Sequence, residues 1–483
     1  MALVGSLRAA AGGLVRSRTF WLGLNCLCFV ALYWGLRITY WRGTVEAPFS
    51  DMGAYVQVAD NIVAHCFWGV NEQIRSYFAP VTPTVIAVAK LISAEHYHGV
   101  YQAIVGALNF AAVILLGREI AKFAGRTALG WLFCYLVALA KPSIFWSLKL
   151  STEGLAEALI HLSIALALMS MRRQSRILCF VSGLAFLVLS LNRQQFFAGA
   201  PFMVLFFAVG PEPRATLGVI REVFGRRTPL QTRVAGLLRS QVFAALFLAG
   251  VLTAWLPWLV RGYVSYGAIL PASTSGAGAI LWEYNGVPVR VGKYERVEGP
   301  HGVIFTARGM EHRKLPNDFA NDYEYQEYTR PLSAFWLRMN RRELPFLFLM
   351  RLKHLMAVPG ASGLTKVSRD QLFEADYTGF NTPYTRASWL NVILLDKSAV
   401  ACLLALGGLV VLARRRWHTA LPFAAMALCP WAAVVATVGY ERAIEPMIPL
   451  LLWLAAYALA AFFAWMAPGR AVPSGPAPPT GCC

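Results

Sequence analysis

Charge is scarce in this 483-residue chain. Only 14% of its residues are Asp, Glu, Lys or Arg, against about a quarter in soluble globular domains. That shortage excludes an ordinary soluble surface. Acid is scarcer than base: 25 Asp and Glu stand against 44 Lys and Arg, for a net charge of +19. The motifs of cytosolic nucleotide chemistry are missing. No P-loop, dinucleotide fingerprint, nucleophile elbow or H-E-x-x-H occurs. Nine cysteines give neither a disulfide framework nor a zinc spacing. Cys26, Cys28, Cys134, Cys179, Cys402 and Cys429 lie in or beside apolar runs, where Cys serves as a small hydrophobe. Cys66 stands alone, and the Cys482-Cys483 pair at the end has the form of a prenylation signal. No internal repeat is found. No small-residue cleavage site follows the first apolar run; Tyr40-Trp41-Arg42 comes instead. Residues 20–40 therefore read as a retained anchor.

What is present is apolar length. Apolar residues make up 57% of the chain, and several runs approach the roughly 20 residues that cross a bilayer. Spans are expected at 20–40, 98–117, 127–146, 152–171, 176–192, 194–210, 240–260, 398–413, 417–438 and 443–466. The stretch "PVTPTVIAVAKLIS" at 80–93 is too short and carries Pro83 and Lys90, so it reads as an interfacial or half-depth segment. The expected fold class is an all-α polytopic membrane domain of about 10–13 transmembrane helices. A small α/β or mixed domain is expected outside it.

The basic residues sit mainly at the ends of apolar runs, which fits anionic lipid headgroups better than nucleic acid. Their sidedness gives an orientation. Loops 1–19, 118–126, 172–176, 211–239, 414–416 and the tail carry nineteen Lys and Arg. The opposite short loops, 41–80, 141–151, 192–194 and 439–446, carry six. Positive-inside sorting then places the N-terminus in the cytoplasm and the first loop outside. The expected units are an N-terminal transmembrane core over 1–260, whose first outer loop 41–80 carries juxtamembrane helices, and an extracytoplasmic domain over 261–397. C-terminal spans over 398–466 and a Pro-rich disordered tail over 467–483 follow. Within the outer domain, "LPFLFLMRLKHLMAVPG" at 344–360 reads as an amphipathic helix on the membrane surface.

Ionisable groups near a membrane core are costly, so each is a candidate site. They concentrate at the outer ends of spans: Asp51, Lys141 and Lys149 with Thr152-Glu153, Asn192-Arg193, Arg261, and Glu441-Arg442 with Glu445. Each also has a structural reading. Asp51 in "SDMGAYVQVADNI" caps a helix over 52–63 as readily as it serves as a base. Glu153 opens a helix, where the dipole alone favours an acid. Arg193 fits a tight turn, and Arg442 fits an ion pair with its flanking acids. His96 and His98 lack a third ligand and read as structural.

Six stretches, in order, resemble the GT-C integral-membrane glycosyltransferases, closest to the protein O-mannosyltransferase and lipid A aminoarabinose transferase superfamily. They are "SDMGAYVQVADNI", "YFAPVTPTVIAVAKLI", "KPSIFWSLKLSTEGLAEALI", "GLAFLVLSLNRQQFFAGAPFMVLF", "PASTSGAGAILWEYNG" and "GYERAIEPMIPLLLWLAA". The chain departs from the family in having Gln194 after Arg193, where Pro is frequent. Many members also have an acid pair, or a Tyr-Arg nearby, where this chain has Ser50-Asp51 and Glu441-Arg442. It also lacks an Asp-x-Asp in the first loop, which disfavours the metal-dependent oligosaccharyl branch and leaves a divalent metal open, with no cofactor firmly implied.

The resemblance implies a single sugar carried on a polyprenyl phosphate. That sugar would pass to an extracytoplasmic hydroxyl on a glycolipid, an envelope polysaccharide or a protein. It implies Asp51 as general base and Arg442 on the donor phosphate, with Lys149, Arg193 and Arg261 as alternatives. Glu153, Tyr55, Trp282, Glu283 and Asn285 would bind sugar or acceptor. A bacterial inner membrane is the expected location, with membrane lipids as surroundings and no nucleic acid partner. The competing classes are a lipid-linked glycan or solute transporter, or flippase, without transferase activity, and an oligosaccharide ligase or polymerase.

Overall fold

The computed structural model describes residues 18–41, 51–210, 230–274, 294–299, 302–307, 319–339, 341–342, 344–355, 399–437 and 444–466. Among these, six helices are long and apolar enough to cross a membrane. Among the described residues the chain is a polytopic helical membrane protein with one small β-hairpin.

In chain order the helices begin with α1 (Arg18–Trp41), α2 (Asp51–His65), α3 (Val81–Ile92), α4 (Tyr97–Ala124) and α5 (Thr127–Leu139). There follow α6 (Lys141–Ser147), α7 (Thr152–Arg173), α8 (Arg176–Asn192), a 3-10 turn (Gln194–Gly199), α9 (Ala200–Val209) and α10 (Leu230–Tyr266). Strands β1 (Tyr294–Gly299) and β2 (Gly302–Ala307) pair antiparallel, Tyr294 opposite Ala307. Helices α11 (Asp322–Met339), α12 (Leu344–Leu355), α13 (Ala399–Thr437), a 3-10 turn (Glu445–Met447) and α14 (Ile448–Met466) complete the described chain.

The expected span at 176–192 coincides with α8, and that at 152–171 is α7 with one more half-turn. The stretch at 80–93 is α3, twelve residues long, and so falls short of a membrane's width by about 12 Å. The span expected at 127–146 is broken. Ala140 has extended backbone (φ −67, ψ 118) between α5 and α6. The cause is Pro142, which has no N–H to give and whose ring would strike the carbonyl four residues back in a continuous helix. The spans expected at 398–413 and 417–438 are two helical arms of α13 that meet at Arg416, whose φ of −150 leaves the helical region. Helix α12 lies within the amphipathic segment expected at 344–360; its Leu352 and Leu355 pack into the main core.

The centre of the bundle is α7, buried along nearly its whole length between α4 and α8. Helices α8 and α10 approach closely at Gly183 and Gly250. A Cβ at either glycine would overlap the other helix's carbonyl, of Phe247 or Phe180. Small residues at such crossings let backbones touch where lipid offers no hydrophobic driving force.

Candidate functional site

Polar groups gather at the end of the bundle where α7 begins. Residues 148–151, between α6 and α7, have irregular backbone and are entirely buried. Buried backbone polar groups need partners, and neighbouring side chains provide them. The Gln102 amide donates to Leu148 O at 2.7 Å, the Tyr101 hydroxyl to Ser151 O at 2.8 Å, and the Asn192 amide to Thr152 O at 2.8 Å. Lys149 lies on this segment at 3% exposure, with Nζ 5.8 Å from the Phe145 ring centroid.

The first turn of α7 carries the site's ion pair. Glu153 Oε1 lies 2.8 Å from Arg193 Nη1, and both are largely buried. Arg193 also donates to Thr152 Oγ1 at 3.3 Å. The Thr82 hydroxyl of α3 donates to Asn192 Oδ1 at 2.8 Å, so α3, α7 and α8 meet at this point. Trp146 Nε1 donates to the Glu445 carboxylate, which ties α6 to the C-terminal segment.

Asp51 is the first helical residue of α2 and is half-buried. The dipole at a helix's first turn favours a carboxylate. Tyr55, one turn on, is buried with its ring edge-on to Phe78 at 5.6 Å. Arg261, near the end of α10, reaches the first loop: it donates to Ser76 Oγ at 2.6 Å, to Arg75 O at 2.7 Å and to Trp68 O. Lys141 is the first residue of α6. Arg442, Glu441, Trp282, Glu283 and Asn285 lie outside the described residues. Of the expected site residues, the structure therefore joins Glu153 to Arg193 beside the segment of Lys149, and it engages Arg261 with the loop that follows α2.

Three features were not expected. Tyr101 and Gln102 carried no signal, being polar residues in an apolar helix without charge. Asp322 is fully buried at the start of α11. It accepts from Ser76 N at 2.7 Å, Thr274 Oγ1 at 2.8 Å and Tyr266 OH at 2.7 Å, so it locks α11 onto the first loop. The third is a polar network deeper along α7, away from the span ends where candidate groups concentrate. Glu157 Oε1 accepts from Ser143 Oγ at 2.6 Å and from Asn109 Nδ2 at 2.9 Å. Arg37 donates to Ser143 Oγ at 2.8 Å, and His161 Nδ1 lies 3.0 Å from Asn109 Oδ1. The signal was available: Arg37, Glu157 and His161 are ionisable residues inside apolar runs.

Among the described residues no three His, Cys, Asp or Glu side chains are grouped to hold a metal ion, and none is assigned that role. The fold and this end of the bundle define a polytopic helical membrane protein with a buried ionic site at the mouth of its central helix. No protein-family model and no curated protein matches the chain. Among solved structures it is similar to the oligosaccharyltransferase of Archaeoglobus fulgidus. In its complex with zinc and sulfate the identity is 12% and the TM-score 0.45, over 92% of this chain and 49% of that one. In its complex with an inhibitory peptide and a dolichol-phosphate the identity is 12% and the TM-score 0.44, over 90% and 50%. In its apo form the values are 11% and 0.46, over 90% and 51%. The chain spans about half the length of these structures. A likeness of this degree speaks to neither activity nor substrate.

Proposed function

We propose that the chain is a GT-C type glycosyltransferase. It moves one sugar from a polyprenyl phosphate to a hydroxyl of a glycolipid, envelope polysaccharide or protein on the outer side of a bacterial inner membrane. The observation that carries the reading is the buried Lys149 segment set beside the Glu153–Arg193 pair at the mouth of α7. Charge buried at a membrane boundary is costly and persists where it handles a charged ligand. The ordered sequence resemblance supports the same reading.

The reaction is a direct displacement. The acceptor O–H gives its proton to the Asp51 carboxylate, and the freed oxygen bonds to the anomeric carbon. The bond from that carbon to the phosphate oxygen breaks, and its electron pair leaves with polyprenyl phosphate. The anomeric centre inverts. Arg442 receives the charge growing on the leaving phosphate, with Lys149, Arg193 and Arg261 as alternatives. Arg193 contacts Glu153 and Arg261 contacts the first loop. Glu153, Tyr55, Trp282, Glu283 and Asn285 serve binding of sugar or acceptor.

The test is incubation of the purified protein with a polyprenyl phosphosugar and envelope acceptors. Release of polyprenyl phosphate together with acceptor glycosylation is expected. No release from any such donor overturns the reading. A second reading, transport of a lipid-linked sugar without bond cleavage, is favoured by the interrupted α5–α6 helix, since broken helices line transporter sites. Donor that crosses proteoliposome membranes intact, with no cleavage, would select it.

A further inference from the structure

The segment that carries Lys149 is held from α4. Helix α4 presents two consecutive polar side chains in its second turn, and each bonds a carbonyl on one side of Lys149. Gln102 Nε2 takes Leu148 O, immediately before the lysine, at 2.7 Å. Tyr101 OH takes Ser151 O, two residues after it, at 2.8 Å. Between them Ser151 N donates to Lys149 O at 2.8 Å, closing a tight turn. Gln102 is 8% exposed, and its Oε1 has no partner among the described residues. A buried amide that leaves one end unsatisfied is held there by what its other end does. A leucine would fill the same space without leaving a buried polar atom unpaired on the helix side.

We propose that Gln102 is a positioning residue for Lys149. By fixing the Leu148 carbonyl, it sets the direction in which the ammonium leaves the turn, and so sets where a donor phosphate is held. This rests on the proposed transferase reading and goes beyond it by naming a neutral residue on another helix as a determinant of donor binding. The specificity of the contact is geometric: the amide is planar, and the carbonyl it binds belongs to the residue preceding the lysine, so a small rotation there swings the whole lysine stem.

The experiment uses the full-length protein in nanodiscs with two readouts. The first is acetic anhydride labelling of Lys149, followed by mass spectrometry with Lys90 and Lys122 as internal standards. Gln102→Leu is expected to raise the Lys149 labelling rate several-fold while leaving the two standards unchanged. The second is affinity for polyprenyl phosphate without sugar. Gln102→Leu and Lys149→Met are each expected to weaken binding about tenfold, the scale of one hydrogen bond. The double variant is expected to bind no more weakly than Lys149→Met alone, because the two act through one contact. Additive losses overturn the proposal, as does unchanged labelling in Gln102→Leu. Raised labelling with unchanged polyprenyl phosphate affinity also overturns it. If the wild-type chain binds no polyprenyl phosphate, the transferase reading and the phosphate role both fall, while the labelling arm still reports whether Gln102 places Lys149.

Discussion

The two ends of α7 carry ion pairs of opposite character. At its start Glu153 meets Arg193 with the acid at 2% and the base at 11% exposure. At its finish Arg172 makes two bonds to Glu119, at 2.8 and 2.9 Å, with Arg172 at 38% exposure and Lys122 also within 3.2 Å of the same acid. The second arrangement is a staple at a helix end. Two cations surround one acid, the geometry is a fork, and solvent reaches the arginine. The first joins two largely buried side chains, next to irregular backbone that carries the buried Lys149. The difference teaches where cost is concentrated. Both acids are buried, Glu119 at 3% and Glu153 at 2%, but desolvating a pair can exceed its attraction, so the end whose base is also buried holds its charges at greater expense. The expensive end is also where the broken α5–α6 helix, the Lys149 turn and Asp51's helix α2 lie.

The largest expected effect belongs to the expensive end. Asp51→Asn is expected to cut transfer by about 10²–10⁴-fold, the usual contribution of a general base, with polyprenyl phosphate binding unchanged. Full transfer by this variant would leave Asp51 a helix-start residue and nothing more.

Next comes the deeper network on the same helix. Glu157→Leu removes the acid that Ser143 links to Arg37, which is buried at 3% exposure. Breaking such a network from one side is expected to destabilise by about 3–5 kcal/mol. Replacing both residues, Arg37→Leu with Glu157→Leu, is expected to recover most of that loss. Thermal unfolding in detergent reads both, and a double variant as unstable as the single one would mean that the two residues do not compensate each other.

A smaller loss is expected at the mouth. Glu153→Gln keeps the shape and the hydrogen bond to Arg193 while removing the charge, so unfolding temperature should fall by only a few degrees while donor or acceptor KM changes more. A variant that loses stability and keeps its kinetics would make the pair structural, like its counterpart at the far end.

The smallest effect is expected at that far end. Arg172→Ala removes a fork whose arginine is 38% exposed, and Lys122 stays beside the buried Glu119 to keep it paired, so the loss is expected to be about 1 kcal/mol. Activity should be unchanged and the stability loss should shrink in high salt. A loss of turnover at constant stability would erase the contrast between the two ends.

Much of the bundle was legible. Helix α8 coincides with its apolar run because charged or polar residues stop it on both sides, Arg176 at one end and Asn192-Arg193 at the other. The short α3 was legible from Pro83 and Lys90, which limit both length and depth. The break at Ala140 had a signal in Pro142, yet the 127–146 run was apolar enough to mask it. Of the site, the pairing of Glu153 with Arg193 was not legible, because 40 residues separate them and either has local explanations. Tyr101 and Gln102 were less legible still: a hydroxyl and an amide in a long apolar helix have no period and no charge to mark them. Asp322 reads as one acid among several in a polar stretch, and only its burial against Ser76, Tyr266 and Thr274 distinguishes it.

Composition and pattern alone determined that this chain must live in a membrane, since water cannot dissolve so many long apolar runs carrying so little charge. They determined where most of its apolar helices run and, through the uneven placement of basic residues, an expected orientation. Tertiary structure decided which charges share a pocket. Burial in a low-dielectric interior makes each charge and each free carbonyl demand a partner, and the only partners in reach are those that packing brings from other helices. The Leu148 carbonyl beside Lys149 is thus bound by a glutamine 46 residues earlier in the chain, and Glu153 by an arginine 40 residues later.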